Sequence, residues 1–131
     1  MKTLRYLILA LTVLSCSNPE IEKLKGSWTI VSIEEKEHDI MFQFTSNLIT
    51  FKNNNVCVLP HSKENNNTKG KWIVNKENEK YYIEIEIDGN KLAGKYKIDF
   101  KNDSEKQLLK LSLLSDDKKI VCSKLISNFN D

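Results

Sequence analysis

The chain reads as all-β: an antiparallel, eight-stranded up-and-down barrel preceded by one short helix. Three observations predict this. From Trp28 onward apolar residues recur with a period of two rather than 3.6. Short clusters of Asn, Asp, Ser and Gly punctuate that pattern at hairpin spacing. No segment after Leu24 has the apolar periodicity of a long helix. A sheet with one apolar face can close on itself, which hides that face and removes sticky edges; a two-sheet sandwich is the alternative.

The elements follow in order. Asn18-Pro19-Glu20 is a helix opening, because Asn caps, Pro suits the first helical position and Glu favours the positive end. Ile21 and Leu24 fall on one face and Gly26 ends the segment. Strands are expected at Trp28 to Ile33, Leu48 to Phe51, Val56 to Leu59, Gly70 to Val74, Tyr81 to Ile87, Leu92 to Phe100, Leu109 to Leu113 and Ile120 to Leu125. In the fifth, Tyr81, Ile83, Ile85 and Ile87 alternate with Tyr82, Glu84 and Glu86. The turns are Asn53-Asn54-Asn55, Asp88-Gly89-Asn90, Asn102-Asp103-Ser104 and Ser115-Asp116-Asp117. Short turns between consecutive strands imply a meander.

The first fifteen residues are different in kind. Lys2 and Arg5 form a basic start, and Leu7 to Leu14 is an apolar run of signal-peptide length, too short to span a bilayer. Val13-Leu14-Ser15-Cys16 then resembles the lipobox of bacterial lipoproteins. The resemblance implies cleavage before Cys16 and acyl chains on its thiol and new amino group, which together anchor a protein stably. The chain thus divides into a signal peptide (1–15), a lipidated tether (16–20), a barrel domain (21–126) and a tail (127–131). Ser17 follows the cysteine, with no aspartate to hold the protein at the inner membrane. The expected location is the cell envelope, lipid-anchored in the outer membrane and facing the periplasm, with surface exposure as the alternative.

Charge excludes one class of partner. The net charge of +2 comes from Lys2 and Arg5; from Cys16 onward eighteen lysines balance eighteen acids, and no arginine remains. Without a basic face or a guanidinium, nucleic acid is not an expected partner. Three cysteines become two once Cys16 carries lipid. In an oxidising compartment Cys57 and Cys122 are then expected to bridge, closing a 66-residue loop, worth about 4 kcal/mol. Two buried free thiols are the alternative. A bridge between the third and eighth strands would have to cross the interior, so a round barrel and the disulfide exclude each other. Metal is not expected, since there is no CxxC and the two histidines, His38 and His61, sit apart from any ligand motif.

Gly26-Ser27-Trp28 opens the first strand directly after the helix, and Gly70-Lys71-Trp72 opens the fourth. Two G-x-W strands with Ile49-Thr50-Phe51 and an Asn run between them resemble lipocalins, and in particular the lipocalin-like lipoproteins of Bacteroidetes-type bacteria. That resemblance implies an eight-stranded barrel in which Gly26 and Trp28 form a structural plug across one end. It also implies a lid between the first two strands over the other end. The Thr-Asp-Tyr motif and closing arginine of lipocalins are absent; Lys124 is the candidate substitute over the Trp28 ring. The body is smaller than an ordinary lipocalin, so side chains of its own can fill it.

The expected function is binding of a small apolar or amphiphilic ligand, with Phe42, Phe44, Trp72, Tyr81 and Tyr96 as candidate liners. The segment Ile40 to Phe44 is either a lid that grips a ligand or an early start to the second strand. The alternative function is a filled-barrel protein-interaction module, an inhibitor, immunity factor or assembly accessory. It would make contact through Ile40 to Phe44 or His61 to Thr68. Catalysis is not expected, because Glu84 and Glu86 share one strand face, no G-x-S-x-G or paired nucleophile occurs, and four glycines build no phosphate loop. No cofactor motif is present.

Overall fold

A computed structural model describes residues 19–63 and 67–126. The expected signal peptide, Cys16 and the tail 127–131 lie outside the described residues. The helix α1 (Pro19–Leu24) starts on proline, as expected, with Glu20 and Glu22 in its first turn. Glu20 pairs with Lys23 at 3.3 Å and Glu22 with Lys25 at 2.8 Å. Its buried residue is Leu24.

Nine strands follow among the described residues: β1 (Gly26–Glu35), β2 (His38–Asp39), β3 (Leu48–Phe51), β4 (Val56–Val58), β5 (Lys69–Glu77), β6 (Lys80–Glu86), β7 (Gly94–Asp103), β8 (Leu108–Leu114) and β9 (Lys118–Leu125). β3 to β9 pair antiparallel in sequence order, and β1 pairs with β3 and β9 as well as with the short β2. The result is a closed eight-stranded antiparallel barrel. All eight expected strands form, with their ends displaced by a few residues.

β1 closes the barrel by changing partners along its length. Gly26 to Thr29 face β3, and Thr29 to Glu35 face β9. The register slips between Ile30 and Ser32, so Val31 is an extra, exposed residue. Such a bulge reverses the in-out phase. Trp28 and Ile30 point inward before it and Ile33 after it.

β2 was not expected. Lys36 and Glu37 both adopt positive φ, 50° and 68°, and fold His38 and Asp39 back onto Glu35 and Glu34. Asn78 and Glu79 turn β5 into β6 with the same angles. Neither pair contains the glycine that usually marks this turn. Ile40 to Phe44 begins no strand: after β2 a single 3-10 turn, Met41–Gln43, carries the chain toward β3. Asp39 Oδ1 accepts the Met41 N–H at 2.9 Å.

The buried core of the described residues holds Trp28, Phe51, Trp72, Tyr96 and many Ile and Leu side chains. Each is worth roughly 1.5–3 kcal/mol of burial. The expected disulfide is corrected: Cys57 and Cys122 are free, buried thiols. Cys57 lies on β4 and Cys122 on β9, with β1 and β3 between them. Three strand spacings amount to about 14 Å of wall, whereas a bridge needs Cα atoms within about 7 Å. The closed barrel therefore keeps the thiols apart.

Candidate functional site

The two ends of the barrel differ. At the α1 end Trp28 is fully buried, and its indole Nε1 donates to the Leu24 carbonyl at 2.8 Å. Lys124 Nζ lies 4.2 Å from the Trp28 ring centroid and donates to the carbonyls of Lys23 and Lys25, both at 3.0 Å. Desolvation lowers the Lys124 pKa. Phe100 packs against Trp28 with centroids 6.3 Å apart, and Lys23 Nζ lies 5.6 Å from the Phe100 ring. Gly26 sits beneath this cluster at φ 111°, a backbone conformation that favours glycine.

At the opposite end the connecting loops fold inward. Leu59, Ile87 and Leu92 are buried, and Asn90 joins their loops. Its amide donates to the carbonyls of Asn67 at 2.9 Å and Pro60 at 3.4 Å, while its Oδ1 accepts the Leu92 N–H at 2.9 Å. The Tyr96 hydroxyl, buried below, donates to the Leu92 carbonyl at 2.8 Å, and burial raises its pKa. Outside, Glu35 pairs with Lys91 at 3.5 Å and Lys118 at 3.8 Å. In sequence Asn90 reads only as turn material; its carboxamide is in fact the clasp of this end.

Of the five candidate ligand liners, Trp72 and Tyr96 belong to one buried core and Phe44 packs against it, whereas Tyr81 is half-buried and Phe42 is not part of it. Trp72 is buried on β5, donates to the Lys52 carbonyl at 3.1 Å and meets Phe51 edge-on at 5.3 Å. Tyr81 is half-buried under Lys76, whose Nζ lies 5.5 Å from its ring. Tyr96 belongs to the clasped end, and Phe44 is half-buried there. Phe42 faces outward at 72% exposure. No buried side-chain polar atom among the described residues lacks a partner. Grooves lined by described residues run along the outer wall. One of about 390 Å³ lies between Glu77, Tyr82, Lys95, Lys97, Leu114 and Asp116, and Lys95 bonds Glu77 across it at 2.8 Å.

Of the two segments expected as alternative contact regions, Ile40 to Phe44 meets residues 61–63; residues 64–66 lie outside the described residues. Phe44 forms a β-bridge with Ser62, the Thr45 N–H donates to the His61 carbonyl at 3.0 Å, and the Lys63 N–H donates to the Gln43 carbonyl at 3.3 Å. Lys91 donates to Gln43 Oε1 at 2.9 Å. The 3-10 turn and residues 61–63 of the β4–β5 loop are therefore joined by hydrogen bonds into one platform, with Phe42 on it. Among the described residues no three His, Cys, Asp or Glu side chains are grouped to hold a metal ion.

These features define a class: a closed antiparallel β-barrel with a core of buried aromatic and aliphatic side chains and, among the described residues, an exposed Phe42 on a hydrogen-bonded turn. No family model, curated protein or solved structure matches the chain.

Proposed function

We propose that the protein is an envelope lipoprotein, anchored through Cys16, whose filled barrel works as a protein-interaction module. The observation that carries this reading is Phe42, 72% exposed on a turn that is hydrogen-bonded to the neighbouring loop. An exposed aromatic on a fixed backbone loses little conformational entropy on binding, which is the property of an interface anchor. Aromatics that would line a ligand cavity are instead spent on the core or divided between the two ends. The test is photo-crosslinking in the envelope from a probe at position 42, against one at Asn54 on the α1 end. One dominant protein adduct, specific to position 42 and lost when unlabelled soluble barrel is added, supports the reading. Identical adduct patterns from both positions sink it.

A second reading, binding of a small apolar molecule, is favoured by a different observation. Val74, Ile98, Phe100 and Leu109 pack on the core yet stay partly exposed. The β6–β7 ladder ends at Tyr82 and Lys97, so these side chains sit where the wall is least continuous. Native mass spectrometry of the barrel discriminates: a retained adduct of a few hundred daltons favours this reading, and a bare mass favours the first.

A further inference from the structure

We infer that the α1 end of the barrel rests on the lipid headgroups of the membrane that holds the acyl chains, so that the Phe42 platform points away from it. This rests on the lipoprotein reading of Cys16. From Cys16 to Pro19, where α1 begins, there are three residue steps, at most about 11 Å when fully extended. Whatever conformation those residues adopt, the start of α1 cannot leave the headgroup layer by more than that. Lys124 ties the end of α1 to the barrel through the carbonyls of Lys23 and Lys25, so the helix cannot swing free as a spacer.

The antiparallel order decides what else is at this end. The β3–β4, β5–β6 and β7–β8 turns are here, and so is the end of β9. Leu125 is paired there with Leu108 and is 76% exposed, and Ile126 is tied to Gln107. Leu125 is thus an apolar side chain on the surface that the tether holds against lipid. The turn charges are mixed, Lys52, Lys80 and Lys106 against Glu79 and Glu105, so the covalent tether and not net charge sets the orientation. The Phe42 turn is nearer the other end: the Ile40 N–H just before it donates to the Ile33 carbonyl, and Gly26 and Ile33 lie seven residues apart along β1. Seven residues of tilted strand put it roughly 20 Å further from the membrane.

The full chain, produced with its leader in an acylating bacterium, is reconstituted into phosphatidylethanolamine and phosphatidylglycerol vesicles carrying headgroup nitroxide lipids. A fluorophore is placed on Leu125→Cys or Phe42→Cys; buried Cys57 and Cys122 stay unlabelled in the native fold. Lys80→Cys and Asp116→Cys give a second pair on the same two ends. Quenching about threefold or more stronger at 125 than at 42, and at 80 than at 116, is expected for ends roughly 20 Å apart. Equal quenching within both pairs, or stronger quenching at 42 and 116, overturns the orientation. Mass analysis of the N-terminal peptide separates the two ideas. A peptide without acyl chains overturns the lipoprotein reading and the orientation with it; an acylated peptide with equal quenching overturns the orientation alone.

Discussion

Lys124 Nζ sits 4.2 Å from the Trp28 ring centroid and bridges the carbonyls of Lys23 and Lys25 at 3.0 Å each. One ammonium therefore joins the last strand, the first strand and the end of α1. Replacing it by Lys124→Met keeps the apolar stem but removes the cation from the ring and two charged hydrogen bonds. A loss of about 1–3 kcal/mol is expected, measured as a lower urea midpoint with an unchanged slope. An unchanged midpoint would mean that water replaces the ammonium without cost.

The two G-x-W copies need glycine for different reasons. At Gly26 the reason is φ 111°; at Gly70 it is space, because a Cβ there would collide with the Glu86 carbonyl and the Ile87 side chain. Backbone cannot rotate out of the way as a side chain can. Gly70→Ala should therefore destabilise by about 3 kcal/mol, with loss of the β5–β6 amide protection in hydrogen exchange. Retained stability would show that β5 and β6 can separate freely.

Tyr96 tests whether its ring serves the core or a ligand. Tyr96→Phe removes only the hydrogen bond to the Leu92 carbonyl, so a loss of about 0.5–1.5 kcal/mol is expected. Partner crosslinking from position 42 should stay unchanged. A variant of unaltered stability that has lost binding would contradict the core assignment.

Alkaline pH should unfold the barrel. Burial pushes the Cys57 thiol from its ordinary value near 9 to about 11 and the Cys122 thiol to about 12, and raises Tyr96 as well. Below about pH 9 these groups are neutral in both states, and their contribution is fully present. Between about pH 9 and 12 the unfolded chain ionises while the folded one does not, so stability is lost as pH rises. Each pH unit of separation is worth about 1.4 kcal/mol. Lys124, lowered by desolvation, opposes this more weakly from a less buried position. Cys57→Ala/Cys122→Ala should flatten the pH dependence of the urea midpoint, and in the native wild type neither thiol should react with a bulky disulfide reagent at pH 8. Rapid reaction of both thiols in the native state would contradict their burial.

Much of the barrel is legible in the sequence itself. Alternation in Tyr81 to Ile87 and in Leu109 to Leu113, with turn clusters between strands, determined the strands and which residues face inward, because a pleated strand exposes alternate side chains. Trp28 and Lys124 could be associated through the motif they resemble. Local pattern did not reveal the β2 hairpin, since Lys36 and Glu37 are unusual residues for positive φ and are held there by the Glu34–Asp39 and Glu35–His38 pairing. The bulge at Val31 was equally hidden, because it depends on the strand opposite.

What the tertiary structure alone decided was which distant groups meet. Strand order around a closed wall put two strands between Cys57 and Cys122 and removed the expected bridge. It put Trp72 and Tyr96 in the buried core and left Tyr81 half-buried, although each reads as an inward aromatic. It also turned Asn90 from turn filler into a clasp and left Phe42 outside. Side-chain alternation is a property of neighbouring residues, so the sequence determined it by itself; contact across a barrel depends on closure and register, which only the folded chain sets.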